Sequence, residues 1–115
     1  KIAVVTSGSK ILANSWLEQT HLNQYISVIV GSDSVIQGKP HPEPYLKAME
    51  LTGCHASHSL AVEDSQIGAQ AATAAKLETY ILRPKTKDPI KQEDWPAVAG
   101  FMDRLDTLIH VFSRV

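Results

Sequence analysis

The sequence predicts an α/β domain built on a mainly parallel sheet, and three observations carry that prediction. Short apolar, β-branched runs alternate with stretches of helical periodicity along most of the chain, the pattern of strands joined by helical crossovers. The first run, IAVV at 2–5, is continuously apolar rather than alternating, as in a strand covered on both faces. The first run is followed by TSGS, and the run at 59–62 by EDS; each of these small polar or acidic groups opens a helical stretch. In open sheets of this kind ligands gather at the carboxyl ends of the strands, so these tips are where chemistry is sought.

Taken in order, residues 2–5 (IAVV) read as a buried parallel strand bounded by Ser7, Gly8 and Ser9. A helix follows from Ser9, its cap, with Ile11, Leu12, Trp16 and Leu17 on one face. Residues 25–30 read as a second strand closed by Gly31. The polar loop SDSVIQGKPHP comes next, its backbone restricted by Pro40, Pro42 and Pro44. Residues 43–51 form a helix with Pro44 in the first turn and Gly53 as its stop. A third strand is expected at 59–62, a third helix at 66–76 and a fourth strand at 79–82, ending at Arg83-Pro84. Residues 84–94 lack periodicity and read as a loop. The spacing of Phe101, Leu105, Leu108, Ile109 and Phe112 predicts a carboxyl-terminal helix over 97–112, packed on the sheet.

With 43% hydrophobic and 20% charged residues in 115, the composition is that of an ordinary globular domain, large enough for a core yet short for a complete α/β enzyme. The net charge of −1, with Lys and Arg scattered, gives no footprint for nucleic acid or an anionic membrane. No apolar run approaches the length of a membrane span. A single cysteine, Cys54, forms no internal disulfide, which points to a reducing, cytoplasmic setting; it reads as a small buried hydrophobe rather than a nucleophile. The chain starts directly on a strand with no initiator methionine, as the middle of a longer protein would.

Three polar clusters carry the candidate chemistry. Thr6, Ser7, Gly8 and Ser9 follow the first strand, where hydroxyls and backbone N–H groups are able to meet a phosphoryl oxygen; the plainer reading is a capped turn. In GKPHPEPY (38–45), Lys39 stands before a proline-stiffened helix start, where an ammonium would neutralise a carboxylate and a transferring phosphoryl group; its plainer reading is a solvated loop lysine. His41 is given no chemistry. In LAVEDSQIGAQAATAA (60–75), Glu63 and Asp64 form a hard oxygen pair of the kind Mg²⁺ prefers, or else helix-start acids favoured by the dipole. His55 and His58 suggest a metal pair by spacing, but with no third ligand they read as a polar loop.

In this order and combination the clusters resemble the haloacid dehalogenase-like hydrolases, especially the phosphatases and mutases similar to beta-phosphoglucomutase and phosphoglycolate phosphatase, over about residues 2–82. The resemblance implies a Rossmann-like three-layer α/β/α core and a Mg²⁺-dependent phosphohydrolase acting on a small phosphorylated metabolite through an aspartyl-phosphate. It implies that Thr6 hydrogen-bonds the phosphoryl group with Ser7 and Gly8 lending donors, that Lys39 steadies nucleophile and phosphate, and that Glu63 and Asp64 are the magnesium acids. The family's nucleophile belongs to a DxD motif on a first strand, and Asp33, Asp88, Asp94, Asp103 and Asp106 form no such motif after an apolar strand. Residues 1–115 are therefore expected to be the carboxyl-terminal part of a catalytic core, incomplete without an amino-terminal segment that carries DxD and the cap, from the same protein or a second chain. The missing strand would lie between those at 2–5 and 59–62, and residues 1–115 alone would be inactive. A sugar phosphomutase of the same family and a non-catalytic phosphate- and metal-binding module stay open as alternatives.

Overall fold

A computed structural model describes residues 1–84 and 89–112. Strand β1 (Ala3–Val5) runs into helix α1 (Lys10–Gln19), whose first turn is closed by Ser9: its extended backbone lets Oγ accept the Leu12 N–H at 3.2 Å. Strand β2 (Val28–Val30) pairs parallel to β1, Ala3 opposite Val28 and Val5 opposite Val30. It is shorter than expected because Asn23–Tyr25 wind into a 3-10 turn. Helix α2 (Glu43–Thr52) has Pro44 in its first turn and stops at Gly53, whose left-handed φ of 70° a side chain would resist.

Strand β3 (Leu60–Glu63) leads through the Ser65 cap into helix α3 (Gln66–Ala74), then into strand β4 (Glu78–Leu82). Helix α3 ends before the expected Lys76, which turns left-handed at φ 68° and redirects the chain toward β4. The alanines of α3 are the reason it sits so close to the sheet: Ala69, Ala71 and Ala72 are fully buried, and Ala71, Ala72 and Ala75 pack with Tyr45, Ala61 and Leu77.

Two expectations need correction. The continuous helix over 97–112 is not formed: Gly100–Met102 is a strand, β5, parallel to β4 with Tyr80 opposite Gly100 and Leu82 opposite Met102. A 3-10 turn at Leu105–Thr107 and a short helix α4 (Leu108–Phe112) follow. A two-residue apolar run between Gly100 and Asp103 carries too little periodicity to separate strand from helix, and the backbone bonds available along β4 decide the matter. Leu105, Ile109 and Phe112, which made the spacing look helical, are exposed. On α1, only Leu17 of the four expected inward residues is buried; Ile11, Leu12 and Trp16 face outward, the last two lining a shallow apolar hollow with Val4 and Ala13. Within the expected loop at 84–94 the structure shows a 3-10 turn at Gln92–Asp94; residues 85–88, Asp88 among them, lie outside the described residues.

All strand pairing among the described residues is parallel, and it falls into two ladders, β2–β1 and β3–β4–β5. Strands β1 and β3 are each the edge of a ladder and do not bond to one another, so the sheet is interrupted at the place where the sequence reading set a further strand. Helix α2 spans the interruption, packing on β1, β2 and α3. Among the described residues no helix is long and apolar enough to cross a membrane.

Candidate functional site

The strand tips of β1 and β3 bound a cavity of about 540 Å³ that brings together Thr6, Ser7, Lys39, Glu63 and Asp64, residues from three separate stretches of sequence. Val62, Ile67 and Leu82 supply apolar wall.

Lys39 is at the centre of the arrangement. Its Nζ donates to the carbonyl of Val5 at 2.9 Å, at the end of β1, and pairs with Glu63 Oε1 at 2.6 Å, at the end of β3. One ammonium thus ties the two ladders at their carboxyl ends. Both side chains are over nine-tenths buried, at 9% and 6% exposure, so the plainer reading of a solvated lysine is excluded. The loop that delivers Lys39 is itself fastened: His41 N–H donates to the Gly38 carbonyl, and His41 Nδ1 accepts the Glu43 N–H, both at 3.0 Å. His41 serves as a local brace at the start of α2 rather than facing the cavity.

The two acids differ in their surroundings. Glu63 is buried, and its Oε1 accepts from both Lys39 and the Tyr45 hydroxyl. Burial raises the Tyr45 pKa far above the usual phenol range, with the Glu63 charge and hydrogen bond adding to it, so Tyr45 stays protonated and remains a donor. Asp64 is exposed at the cavity. Ser65 next to it is occupied as the α3 cap, accepting the Gly68 N–H at 3.1 Å.

Thr6 anchors its own strand tip, its N–H donating to the Val30 carbonyl at 2.9 Å. Its Oγ1 accepts the Gly8 N–H at 3.0 Å, which leaves the hydroxyl proton available to donate. Ser7 is exposed at the cavity, whereas Gly8 has its N–H bound to Thr6 and borders the apolar hollow beside α1.

Tyr45 and Gly68 were not singled out by sequence reasoning. Tyr45 is the last residue of GKPHPEPY, and Gly68 is an unexpected glycine inside an alanine-rich helix, where alanine is favoured by about 1 kcal/mol. The structure supplies the reason for the glycine. A Cβ at position 68 would stand 2.0 Å from Glu63 Oε2 and 2.3 Å from its Cδ, so the missing side chain is the seat of the carboxylate. Gly68→Ala is therefore expected to lower stability by about 1–3 kcal/mol, the scale of overpacking, despite the better helix propensity of alanine. Urea denaturation measures it, and a stabilised variant would show that the seat is not as described.

Among the described residues no three His, Cys, Asp or Glu side chains gather into a metal cluster. Glu63 lines the same cavity but is buried, with Oε1 bound to Lys39 and Tyr45 and Oε2 set against Gly68, and Asp64 offers an exposed hard carboxylate donor there. That fits a share of a magnesium shell, since the ion takes one or two carboxylates and keeps waters.

The family model for haloacid dehalogenase-like hydrolases matches residues 1–82. A plasmid-encoded phosphoglycolate phosphatase of Cupriavidus necator is 37% identical over 83 residues, covering 72% of this chain and 36% of its own length. The pyrophosphatase PpaX of Bacillus mycoides is 29% identical over 119 residues, covering the whole chain and 53% of its own length. Among solved structures, a subfamily IA hydrolase of the same superfamily from Geobacter sulfurreducens superposes with a TM-score of 0.78 at 28% identity, over 95% of this chain and 51% of that one. The chain thus spans between a third and about half of the length of these relatives.

Proposed function

Because the chain belongs to the haloacid dehalogenase-like hydrolases, we propose that it forms one wall of a Mg²⁺-dependent phosphohydrolase site acting on a small phosphorylated metabolite. The aspartate nucleophile comes from an amino-terminal segment whose strand runs between β1 and β3. The observation that carries this reading is Lys39, an ammonium held at the junction of the two strand tips, where a carboxylate on an intervening strand would end beside it.

Each residue of the wall then has a task. Lys39 neutralises the attacking carboxylate and the oxygens of the phosphoryl group as charge builds in the transition state. The Thr6 hydroxyl donates to a phosphoryl oxygen, and Ser7 adds a second hydroxyl at the same rim. Asp64 and Glu63 would hold Mg²⁺, which when bound would supply positive charge to neutralise the phosphate. Covalent catalysis divides the displacement in two: the aspartate carboxylate takes the phosphoryl group as the alcohol or phosphate leaves, and water then cleaves the acyl phosphate.

The test is phosphate release from a panel that begins with phosphoglycolate and pyrophosphate, the compounds named in its relatives, and extends to sugar phosphates. Residues 1–115 alone are expected to release nothing, and addition of a separately expressed upstream segment bearing a DxD strand and cap to restore release. Strong metal-dependent release by residues 1–115 alone would overturn the proposal.

A further inference from the structure

We propose that Tyr45 is a positioning residue of this site: its hydroxyl holds the Glu63 carboxylate in the one orientation that fixes Lys39 at the tip of β1. The inference rests on the reading of Lys39 given above, and on geometry that the reading does not use.

Four observations converge. Tyr45 lies on the inner face of α2, 7% exposed, six residues after Lys39, so one helix start delivers both donors. The phenol and the ammonium donate to the same carboxylate oxygen, Glu63 Oε1. The ammonium also stands 5.4 Å from the Tyr45 ring centroid, so the ring bounds its position from one side. The carboxylate itself sits against Gly68, where a Cβ would stand 2.0 Å from Oε2. A carboxylate rotates about its last bond at little energetic expense, and in this pocket a phenol donor, an ammonium donor and a glycine seat together leave it a single setting. Tyr45 does not touch the cavity, so it acts only through Glu63 and Lys39.

Tyr45→Phe keeps the ring and removes the donor. Two measurements on the full-length gene product test the proposal. The first is trace acetylation with acetic anhydride at one pH, quantified lysine by lysine. Acetylation of Lys39 is expected to rise about threefold or more in the variant relative to Lys47 and Lys76. That of Lys1, whose Nζ is bound to the Thr52 carbonyl at the other end of α2, is expected to stay unchanged. An unchanged Lys39, or an equal rise at Lys1 showing general loosening of the helix, would overturn the proposal. This arm needs no activity, so it decides the role of Tyr45 even if no phosphate ester is turned over and the functional reading fails.

The second is kinetic, with the best ester of the panel. Tyr45→Phe is expected to lower kcat about tenfold with KM within twofold, and to cost much less than that in a Lys39→Met background, because most of its effect passes through the ammonium. A full additional loss in that background would show Tyr45 acting independently of Lys39 and would overturn the proposal.

Discussion

Lys39→Ala in the complete enzyme is expected to reduce kcat about a hundredfold or more, the scale on which removal of one charge-stabilising group acts. The same substitution strikes stability, because the Glu63 carboxyl would be left buried without its cation. Breaking a buried pair from one side costs about 3–5 kcal/mol, well above the worth of an exposed ion pair. The two effects are separable. Replacing both partners, Lys39→Met with Glu63→Gln, removes the stranded carboxyl and should recover much of the urea midpoint while leaving kcat low. If Lys39→Ala raises only KM, the lysine binds substrate without stabilising the transition state, and its assigned role fails.

Asp64→Asn should lose most activity while scarcely altering the fold. The side chain is exposed, so its amide isostere disturbs no packing, and surface changes of this sort stay within about 0.5 kcal/mol. What it removes is the charge of a hard oxygen ligand. Steady-state rates across a magnesium titration should show a much weakened dependence on the metal. Unchanged rates with an unchanged magnesium requirement would remove Asp64 from the metal site. Glu63→Gln makes the informative contrast: there the loss should include stability, since Glu63 is the partner of Lys39 and Tyr45.

Much of this site was legible in the chain because its chemistry is local. Ser65 capping α3, Pro44 in the first turn of α2 and Gly53 ending it are decided by neighbouring residues, and each appears where its residue type demands. The acidic tip of β3 and the hydroxyl after β1 follow from the same local rules. The joining of Lys39 to Val5 and Glu63 was not legible: the resemblance set the lysine beside nucleophile and phosphate, and no spacing along a chain reveals that a loop lysine will reach across 34 residues to one and 24 to the other. The unequal fates of Glu63 and Asp64 were hidden for a related reason: adjacent residues at a strand end point to opposite sides, and only packing shows which side is buried. Strand β5 escaped because three residues carry almost no periodicity, and its existence depends on the edge that β4 offers.

Among the described residues, the peptide groups of β1 and β3 that point away from their one bonded neighbour have no ladder to protect them. In residues 1–115 alone, each ladder is therefore expected to exchange with solvent deuterium as a separate unit. What joins them is side-chain packing and chemistry carried by α2: Val5 packed on the cluster of Tyr45 and Ala61, the ammonium on the Val5 carbonyl, the carboxylate of β3 and the phenol beside it. The residues assigned to phosphoryl transfer are thus also the rivets between two halves of a sheet. A strand bound between those halves would merge two exchange units into one, and the slowing of amide exchange along β1 and β3 would register its arrival independently of any turnover.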